Sequence, residues 1–235
     1  MTASNRQKRL NSIKISKADT HQNLIKPTWP FQEEEGHARL TFYSKGGDTD
    51  MPYSKFVLIP LFIAAQATIM MVIEPTLGFV SWISFQAWAM YFLAGCSPKM
   101  GLKTFLGYLG GAAASIGIMQ GASIFGAMGL ANGTNLYLAV FIVVVLVISA
   151  EYVQWFDFVP SWFVGAGVFF GLMNLDIFTE GASIWAMYGQ STVKLMWSCM
   201  IGLAFGAVTV AFRTWYEAQV NTETADKQPP AVPAE

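Results

Sequence analysis

The chain has 235 residues, of which 54% are hydrophobic and only 12% are charged. Soluble domains carry about 25% charged residues, so this composition indicates that lipid is the solvent for most of the chain. The formal net charge of −1 gives no electrostatic basis for nucleic-acid binding, and we expect no nucleic-acid partner.

The N-terminal segment, residues 1–54, is polar and of mixed charge, and the chain up to Lys55 holds nine of the 14 lysines and arginines. No apolar stretch follows the early basic residues, so the segment does not read as a secretory signal peptide. We expect a polar cytoplasmic segment. At the other end, residues 217–235 are proline-rich and are predicted to form a disordered tail.

Residues 55–216 are nearly all apolar and form the predicted membrane domain. A membrane-spanning helix needs roughly 20 apolar residues. Six segments are candidates: Phe56–Ile73, Phe79–Gly95, Thr104–Met128, Leu136–Tyr152, Phe158–Met173 and Lys194–Trp215. The second and fifth, which begin with or just before a Ser-Trp pair, are short, and we expect them to be steep, partial or re-entrant.

The placement of lysine and arginine predicts the orientation. Positive charge lies in the N-terminal segment, in the loop with Lys99 and Lys103, and at Arg213, whereas the alternate loops around Glu74 and over residues 129–135 carry none. Both termini are therefore predicted to be cytoplasmic. The size of the chain and its proline-rich tail favour the inner membrane of a bacterium.

A motif occurs twice in this domain, each time as Ser-Trp, an apolar stretch and then a lysine: Ser81, Trp82 and Lys103, then Ser161, Trp162 and Lys194. Tryptophan and lysine are 21 positions apart in the first copy and 32 apart in the second, and an insertion between Leu175 and Tyr188 accounts for the difference. Since three spans are an odd number, the second copy must enter the membrane from the opposite side. The sequence predicts an all-α membrane protein of about six transmembrane helices, built as two inverted three-helix repeats (residues 56–128 and 136–215).

Small residues follow each lysine at four, eight and twelve positions: Gly107, Gly111 and Ser115 in the first copy, and Ser198, Gly202 and Gly206 in the second. Small residues at this spacing let helix backbones approach closely in a bilayer. We interpret both stripes as helix-packing surfaces. We expect the third and sixth helices to pack on each other at the centre of the two repeats.

Short pieces spread over roughly Leu77 to Phe212 carry a family resemblance: Ser81-Trp82 with Tyr91-Phe92, Gly101-Leu102-Lys103, Phe158-Val159-Pro160 with Phe163 and Gly165-Ala166, and Gly202-Leu203-Ala204-Phe205-Gly206. In these pieces the chain resembles the small bacterial inner-membrane proteins typified by YcdZ, a family with a domain of unknown function. The resemblance implies an integral inner-membrane protein of about six spans. It implies no particular reaction.

The short second segment carries aromatic residues at helical spacing on one face, and the fifth segment echoes them. Tryptophan at a membrane boundary is usually an interfacial anchor. The alternative is an aromatic-lined constriction near the midplane for a small, weakly hydrated solute. Gln86 is the first candidate for a solute contact, and an interhelical hydrogen bond is its alternative role. The predicted solute-lining residues are Trp82, Phe85, Gln86, Trp88, Phe158 and Trp162.

Charged residues cluster at the ends of the spans. Glu151 follows a long β-branched run and is the best candidate for proton or cation coupling, with an interfacial carboxylate as the alternative. Lys103 and Lys194 begin their helices, where a lysine can snorkel to the boundary. Being related by the repeat, they could instead flank the two mouths of a path and attract anions.

The sequence gives little support for catalysis. The predicted spans contain no histidine, no nucleophile elbow and no paired carboxylates at helical spacing. Cys96 and Cys199 lack CxxC spacing and are expected to be free thiols. We therefore expect that the protein is not an enzyme and that it binds no metal and no cofactor.

The leading hypothesis is a passive channel or facilitator for a small neutral or weakly polar solute, such as urea, ammonia, carbon dioxide or a short amide. A small monovalent anion is a variant if the repeat lysines attract it. The expected partners are the lipid bilayer, the solute and further copies of the chain, a trimer by analogy. One alternative is a non-transporting membrane subunit or scaffold that binds a partner through its N-terminal segment. Another is a proton-coupled transporter, which requires a buried Glu151.

Overall fold

The computed structural model describes residues 53–131, 133–175, 178 and 181–226. The predicted cytoplasmic segment lies almost wholly outside these residues. The described chain folds into seven α-helices: α1 (Tyr53–Phe56), α2 (Leu58–Leu77), α3 (Ser81–Leu93), α4 (Pro98–Ala127), α5 (Thr134–Ser149), α6 (Val159–Met173) and α7 (Ile184–Asp226). A 3-10 turn, Ala150–Tyr152, extends α5.

The helix lengths match the predicted membrane segments. In the described chain, four helical stretches are long and apolar enough to cross a membrane: Tyr53–Leu77, Pro98–Ala127, Thr134–Tyr152 and Ile184–Thr222. Helices α3 and α6 have 13 and 15 residues. At 1.5 Å per residue they are about 20 Å long, shorter than a hydrocarbon core of about 30 Å. The prediction of an all-α membrane fold with short second and fifth helices is confirmed.

Local chemistry sets the helix boundaries. Gly78 ends α2 in a left-handed conformation (φ 66°), and its N–H donates to the carbonyl oxygen of Glu74 at 2.8 Å. Glycine adopts this conformation without the steric penalty of a Cβ. Helix α4 starts at Pro98, and the side chain of Ser97 before it accepts a hydrogen bond from the N–H of Met100. Proline in the first turn and serine at the cap favour a helix start here.

Helix α7 is longer than the predicted sixth segment at both ends. It begins at Ile184, where Ser183 accepts a hydrogen bond from the Ala186 N–H at 3.3 Å. It continues to Asp226, so the first part of the predicted disordered tail is helical. The residues after Glu217 in this helix include no glycine or proline, and Glu217 itself pairs with Arg213 four positions earlier at 2.6 Å. Such pairs support an exposed helix end.

The two repeats exchange their short helices. Helix α6, from the second repeat, lies along α4 of the first. A Cβ on Gly107 would overlap the side chain of Ser161, and further along, Ser115 Oγ donates to the carbonyl oxygen of Ala166 at 3.2 Å. Contacts thus advance in the same direction on both helices, so α4 and α6 are parallel.

Helix α3, from the first repeat, lies along α7 of the second in the same way. The N–H of Val80 donates to Ser198 Oγ at 2.8 Å, and a Cβ on Gly206 would meet the ring of Tyr91 at 3.0 Å. These two helices are parallel as well. The outer helices also pack against the long helix of the other repeat, since α2 contacts α7 and α5 contacts α4.

The two long helices run in opposite directions. Gln120, late in α4, donates to the hydroxyl of Tyr188, early in α7, at 2.9 Å. Tyr108, early in α4, lies in the same buried cluster as Cys199, further along α7. One parallel pair is therefore inverted relative to the other, the arrangement that inverted repeats require.

The small-residue stripes have other partners than the sequence predicted. We expected the stripe of the third helix to face the stripe of the sixth. Instead each stripe lies against a short helix of the other repeat, with Gly111 on Gly165 and Ala166, and Gly202 on Ser84 and Ala87. A short helix supplies a full row of close contacts because it runs parallel to the stripe, whereas α4 and α7 share fewer contacts with each other.

Candidate functional site: the groove between the short helices

A groove of about 480 Å³ separates the two short helices. Helix α3 forms one wall and helix α6 the other, and the ring of Trp82 lies 3.5 Å from where a Cβ on Gly171 would stand. The residues that line the groove are Trp82, Gln86, Ala89, Met90, Val164, Gly167, Val168 and Gly171. The groove thus lies where the two repeats meet, which is the usual place for a site in inverted-repeat transport proteins.

Gln86 is the amide of this groove. It lies in the middle of α3 and is exposed. Its side chain makes no hydrogen bond to any part of the chain that the structure describes. In hydrocarbon an unpaired amide costs several kcal/mol, so polar groups at this depth face water, a solute or other protein. The amide therefore needs an occupant of the groove or a neighbouring molecule.

Trp82 and Gln86 are brought together by the helix, since residues four apart share a face. Ala89, three positions further, continues that face into the groove. Trp82 is 40% exposed, so its ring is accessible to a molecule in the groove. Two of the six predicted lining residues thus meet in one place.

Phe85 and Trp88 lie on the opposite side of α3, in a cluster of buried side chains. Trp88 is 5% exposed, and its ring lies 6.1 Å from that of Phe85 and 5.9 Å from that of Phe205. Its indole N–H has no hydrogen-bond partner among the described residues. Trp88 lies six positions after Trp82 in α3, which turns its side chain by about 120° around the helix and away from the groove. The expectation that these aromatics share one face is wrong.

The aromatic residues of the second copy also lie elsewhere. Trp162 lies over Gly110 of α4, and its ring lies 5.6 Å from that of Phe156. Phe158 packs against the main core cluster. The α6 wall of the groove consists instead of small and aliphatic residues, which sequence reasoning missed. Their helical spacing was the available signal: Val164, Gly167, Val168 and Gly171.

Lys103 is buried in an ion pair. Its Nζ lies 2.7 and 2.8 Å from the two carboxylate oxygens of Asp157. The side chains are 7% and 23% exposed. The pair joins the start of α4 to the start of α6 and holds the parallel pair together at one end. The sequence interpretation of snorkelling or a mouth charge missed this partner, although the predicted orientation put both residues on the same side of the membrane.

Glu151 and Lys194, the other charged candidates, differ from Lys103. Glu151 is exposed on the 3-10 turn, so the burial that proton coupling required is not met. Lys194 is half-buried and lines a second cavity, of about 530 Å³. In the described parts of the chain, no three His, Cys, Asp or Glu side chains come together in a way that could hold a metal ion.

Several buried polar side chains elsewhere in the bundle are hydrogen-bonded across helices. The hydroxyl of Thr209 donates to the amide oxygen of Gln66 at 2.7 Å, which joins α7 to α2. Ser84 Oγ donates to the carbonyl oxygen of Ser198 at 2.8 Å, which joins α3 to α7. Such hydrogen bonds hold helices together in a bilayer. Gln86, which is exposed, takes part in none of these hydrogen bonds among the described residues.

A comparison with known families identifies the membrane domain. Residues 60–214 match a family described as Protein of unknown function (DUF1097). The chain belongs to this family. No curated protein and no solved structure matches the DUF1097 chain. Its function must therefore be argued from the geometry of its own residues.

Proposed function

We propose that this DUF1097 protein is a passive membrane channel or facilitator for a small neutral or weakly polar solute, such as urea, ammonia, carbon dioxide or a short amide. One observation carries the proposal. An unpaired amide, Gln86, lies in the middle of a 13-residue helix and opens into a groove of about 480 Å³ between the repeats. An amide offers both a donor and an acceptor, which suits a solute such as urea.

The lining of the groove favours a neutral solute. None of the described lining residues carries a charge. Apolar walls with few polar groups select by diameter and by hydrogen bonding. The two walls belong to helices of about 20 Å, so the narrow part of a path along them is short.

A neighbouring copy of the chain would close the groove. Trp82 and Gln86 are exposed on this side of the bundle, and a homo-oligomer, with a trimer as the working arrangement, would cover them. We place the protein in the inner membrane of a bacterium, with both termini in the cytoplasm, as the lysine and arginine pattern favours.

A second candidate function is a non-transporting membrane subunit or scaffold. It is favoured by the packing of Phe85 and Trp88, which fills the space between α3, α2 and α7 with apolar side chains. In this alternative the groove is a docking face for another membrane helix. Solute flux distinguishes the two candidates.

The test is stopped-flow light scattering on proteoliposomes with urea, ammonia and formamide gradients. We expect a rate above that of empty vesicles for at least one solute, and a fall of about tenfold in Gln86→Leu, since one hydrogen bond of about 1.4 kcal/mol in the barrier is tenfold in rate. The matched control is Phe163→Leu, an exposed position of α6 that does not line the groove. Rates equal to empty vesicles for all three solutes would overturn the channel and favour the scaffold.

A further inference from the structure

The two repeat lysines have different surroundings. Lys103 meets both carboxylate oxygens of Asp157 within 2.8 Å. Lys194 occupies the corresponding position in the second repeat. Its side chain makes no ion pair and no hydrogen bond to any residue that the structure describes. Among the described residues, the repeat therefore keeps the cation in both copies and places a carboxylate beside it in one.

The sequence explains the missing carboxylate. Asp157 precedes the Ser-Trp motif of the second copy by four positions. The corresponding residue of the first copy is Leu77 when the motifs are aligned on Ser-Trp, or Gly78 when they are aligned on the preceding phenylalanine. Neither is acidic. Glu74, one turn earlier, accepts a hydrogen bond from the hydroxyl of Ser81.

A cavity lies where that carboxylate would be. It has a volume of about 530 Å³, and Lys194 and Gln190 contribute its polar groups. They are four apart on α7 and so share one face with Trp197. The indole N–H of Trp197 donates to the carbonyl oxygen of Leu77 at 3.0 Å, which ties this wall to the end of α2. Gly78 completes the site, and a Cβ there would meet nothing within 4 Å.

We propose that this cavity binds a singly charged oxyanion, with a small carboxylate such as formate or acetate as the reference ligand. The anion takes the place that Asp157 fills beside Lys103. The ammonium group of Lys194 supplies one positive charge, which matches one negative charge, and the Gln190 amide can donate a hydrogen bond to the second oxygen. Apolar walls from Val193 and Trp197 lower the local polarity and strengthen the charge pairing.

The phosphodiester of a lipid headgroup is also a singly charged oxyanion. A free carboxylate and a headgroup therefore share the chemistry of the site, and the experiment separates them. The site is distinct from the groove between α3 and α6. Anion binding would support the site even if the protein transports no solute. A failure of the anion site and a failure of the proposed channel are therefore independent results.

The test is an NMR titration of the full chain, labelled with 15N at tryptophan, in a lipid-free maltoside micelle. The indole resonance of Trp197, assigned by its loss in Trp197→Phe, reports on the cavity wall. We expect a saturable shift of this resonance with formate and acetate, and loss of at least nine-tenths of that shift in Lys194→Gln. Lys99→Gln removes an exposed lysine outside the cavity and keeps the full shift.

A comparison of Gly78→Asp with Gly78→Asn tests the anion site most directly. Both add a side chain of the same size to the same left-handed backbone position, and only the first supplies a carboxylate to Lys194. We expect Gly78→Asp to abolish the formate shift and Gly78→Asn to keep it. Equal binding in the two variants, or a formate shift that survives Lys194→Gln, would overturn the site.

A nanodisc arm identifies the source of the anion. If phosphatidylglycerol shifts the same resonance in a Lys194-dependent way and formate does not compete, the oxyanion is a lipid headgroup. If formate competes with the lipid, the cavity takes free carboxylates. If neither causes a Lys194-dependent shift, the proposal is wrong.

Discussion

The two parallel helix pairs contain the same repeated motif but differ in the contacts that surround its lysine. In the α4–α6 pair, glycine meets backbone, since a Cβ on Gly165 would lie 2.6 Å from the Cα of Tyr108, and the ion pair of Lys103 with Asp157 closes one end. In the α3–α7 pair, the hydroxyl of Ser198 bridges the helices, and Lys194 at the corresponding end faces a cavity. The difference indicates that the stripe of small residues forms each pair, and that, among the described residues, the α4–α6 pair adds an ion pair at its end that the α3–α7 pair lacks.

The largest effect is expected when the backbone contact is broken. Gly165→Ala places a Cβ against the backbone of Tyr108, which cannot move without separating α4 from α6. We expect a loss of about 3 kcal/mol in unfolding free energy, the upper end for overpacking. Denaturation in mixed micelles, followed by circular dichroism, measures it.

Gly167→Ala is the matched control, because a Cβ at Gly167 meets nothing within 4 Å. Its unfolding free energy should stay within about 0.5 kcal/mol of the wild type, as for surface substitutions. Equal losses in the two variants would mean that glycine in α6 matters for the helix itself and not for its contact with α4.

A smaller effect is expected at the ion pair. Asp157→Leu leaves Lys103 buried without its partner, and removing one partner of a buried pair costs about 3–5 kcal/mol. Because Asp157 is 23% exposed, water can reach the remaining charge, so we expect about 2–3 kcal/mol. The same micelle denaturation checks the value.

Lys194→Met in the other copy removes a lysine without an ion pair and should cost less than about 0.5 kcal/mol. The double variant Lys103→Met/Asp157→Leu should regain part of the loss, since no charge stays buried. A loss in Lys194→Met as large as that in Asp157→Leu would contradict the difference between the two ends.

The smallest effects compare the two stripe serines. Ser198 Oγ accepts the N–H of Val80 at 2.8 Å, just before α3 begins, so Ser198→Ala leaves that donor without its partner. An unsatisfied donor costs about 1–3 kcal/mol, and we expect about 1 kcal/mol because the contact is partly buried. Ser115 only donates, to the carbonyl oxygens of Gly111 and Ala166.

Ser115→Ala should therefore cost about 0.5 kcal/mol, the lower end for a hydrogen bond whose loss leaves no donor unpaired. Unfolding of the two single variants in the same micelles ranks them. The reverse order would show that the hydroxyl of Ser115 carries more of its helix pair than that of Ser198 does.

The sequence predicted the elements well and their partners poorly. Apolar length identified the six helices, and the short apolar runs that begin at each Ser-Trp motif predicted the two short ones. The sequence contains no periodic signal for the exchange of short helices. A stripe such as Gly107 and Gly111 predicts close packing against another helix but does not identify that helix. For the same reason the sequence could not pair Lys103 with Asp157, which lie 54 positions apart.

For the candidate groove, helical spacing predicted which side chains share a face over one helical turn, but not over longer distances. Gln86 and Trp82 were correctly placed on one surface, since they are four apart. Trp88 was grouped with them because a run of threes drifts around a helix by about 60° at each step. The sequence prediction missed the extension of α7 to Asp226. The prolines after this residue suggested disorder for the whole tail, although the residues before it are compatible with a helix.

The exchange of short helices also sets an order on assembly in the membrane. The ribosome delivers the chain from the N-terminus, and the hydroxyl of Ser84 in α3 bonds to Ser198, 114 residues later. Helix α3 must therefore wait in the bilayer, with its polar face unpaired, until the last helix is inserted. A chain that stops after α6 contains both helices of the α4–α6 pair but lacks the α7 partner of α3. The final structure can therefore form only after α7 is inserted, and neither repeat can reach it before the other is made.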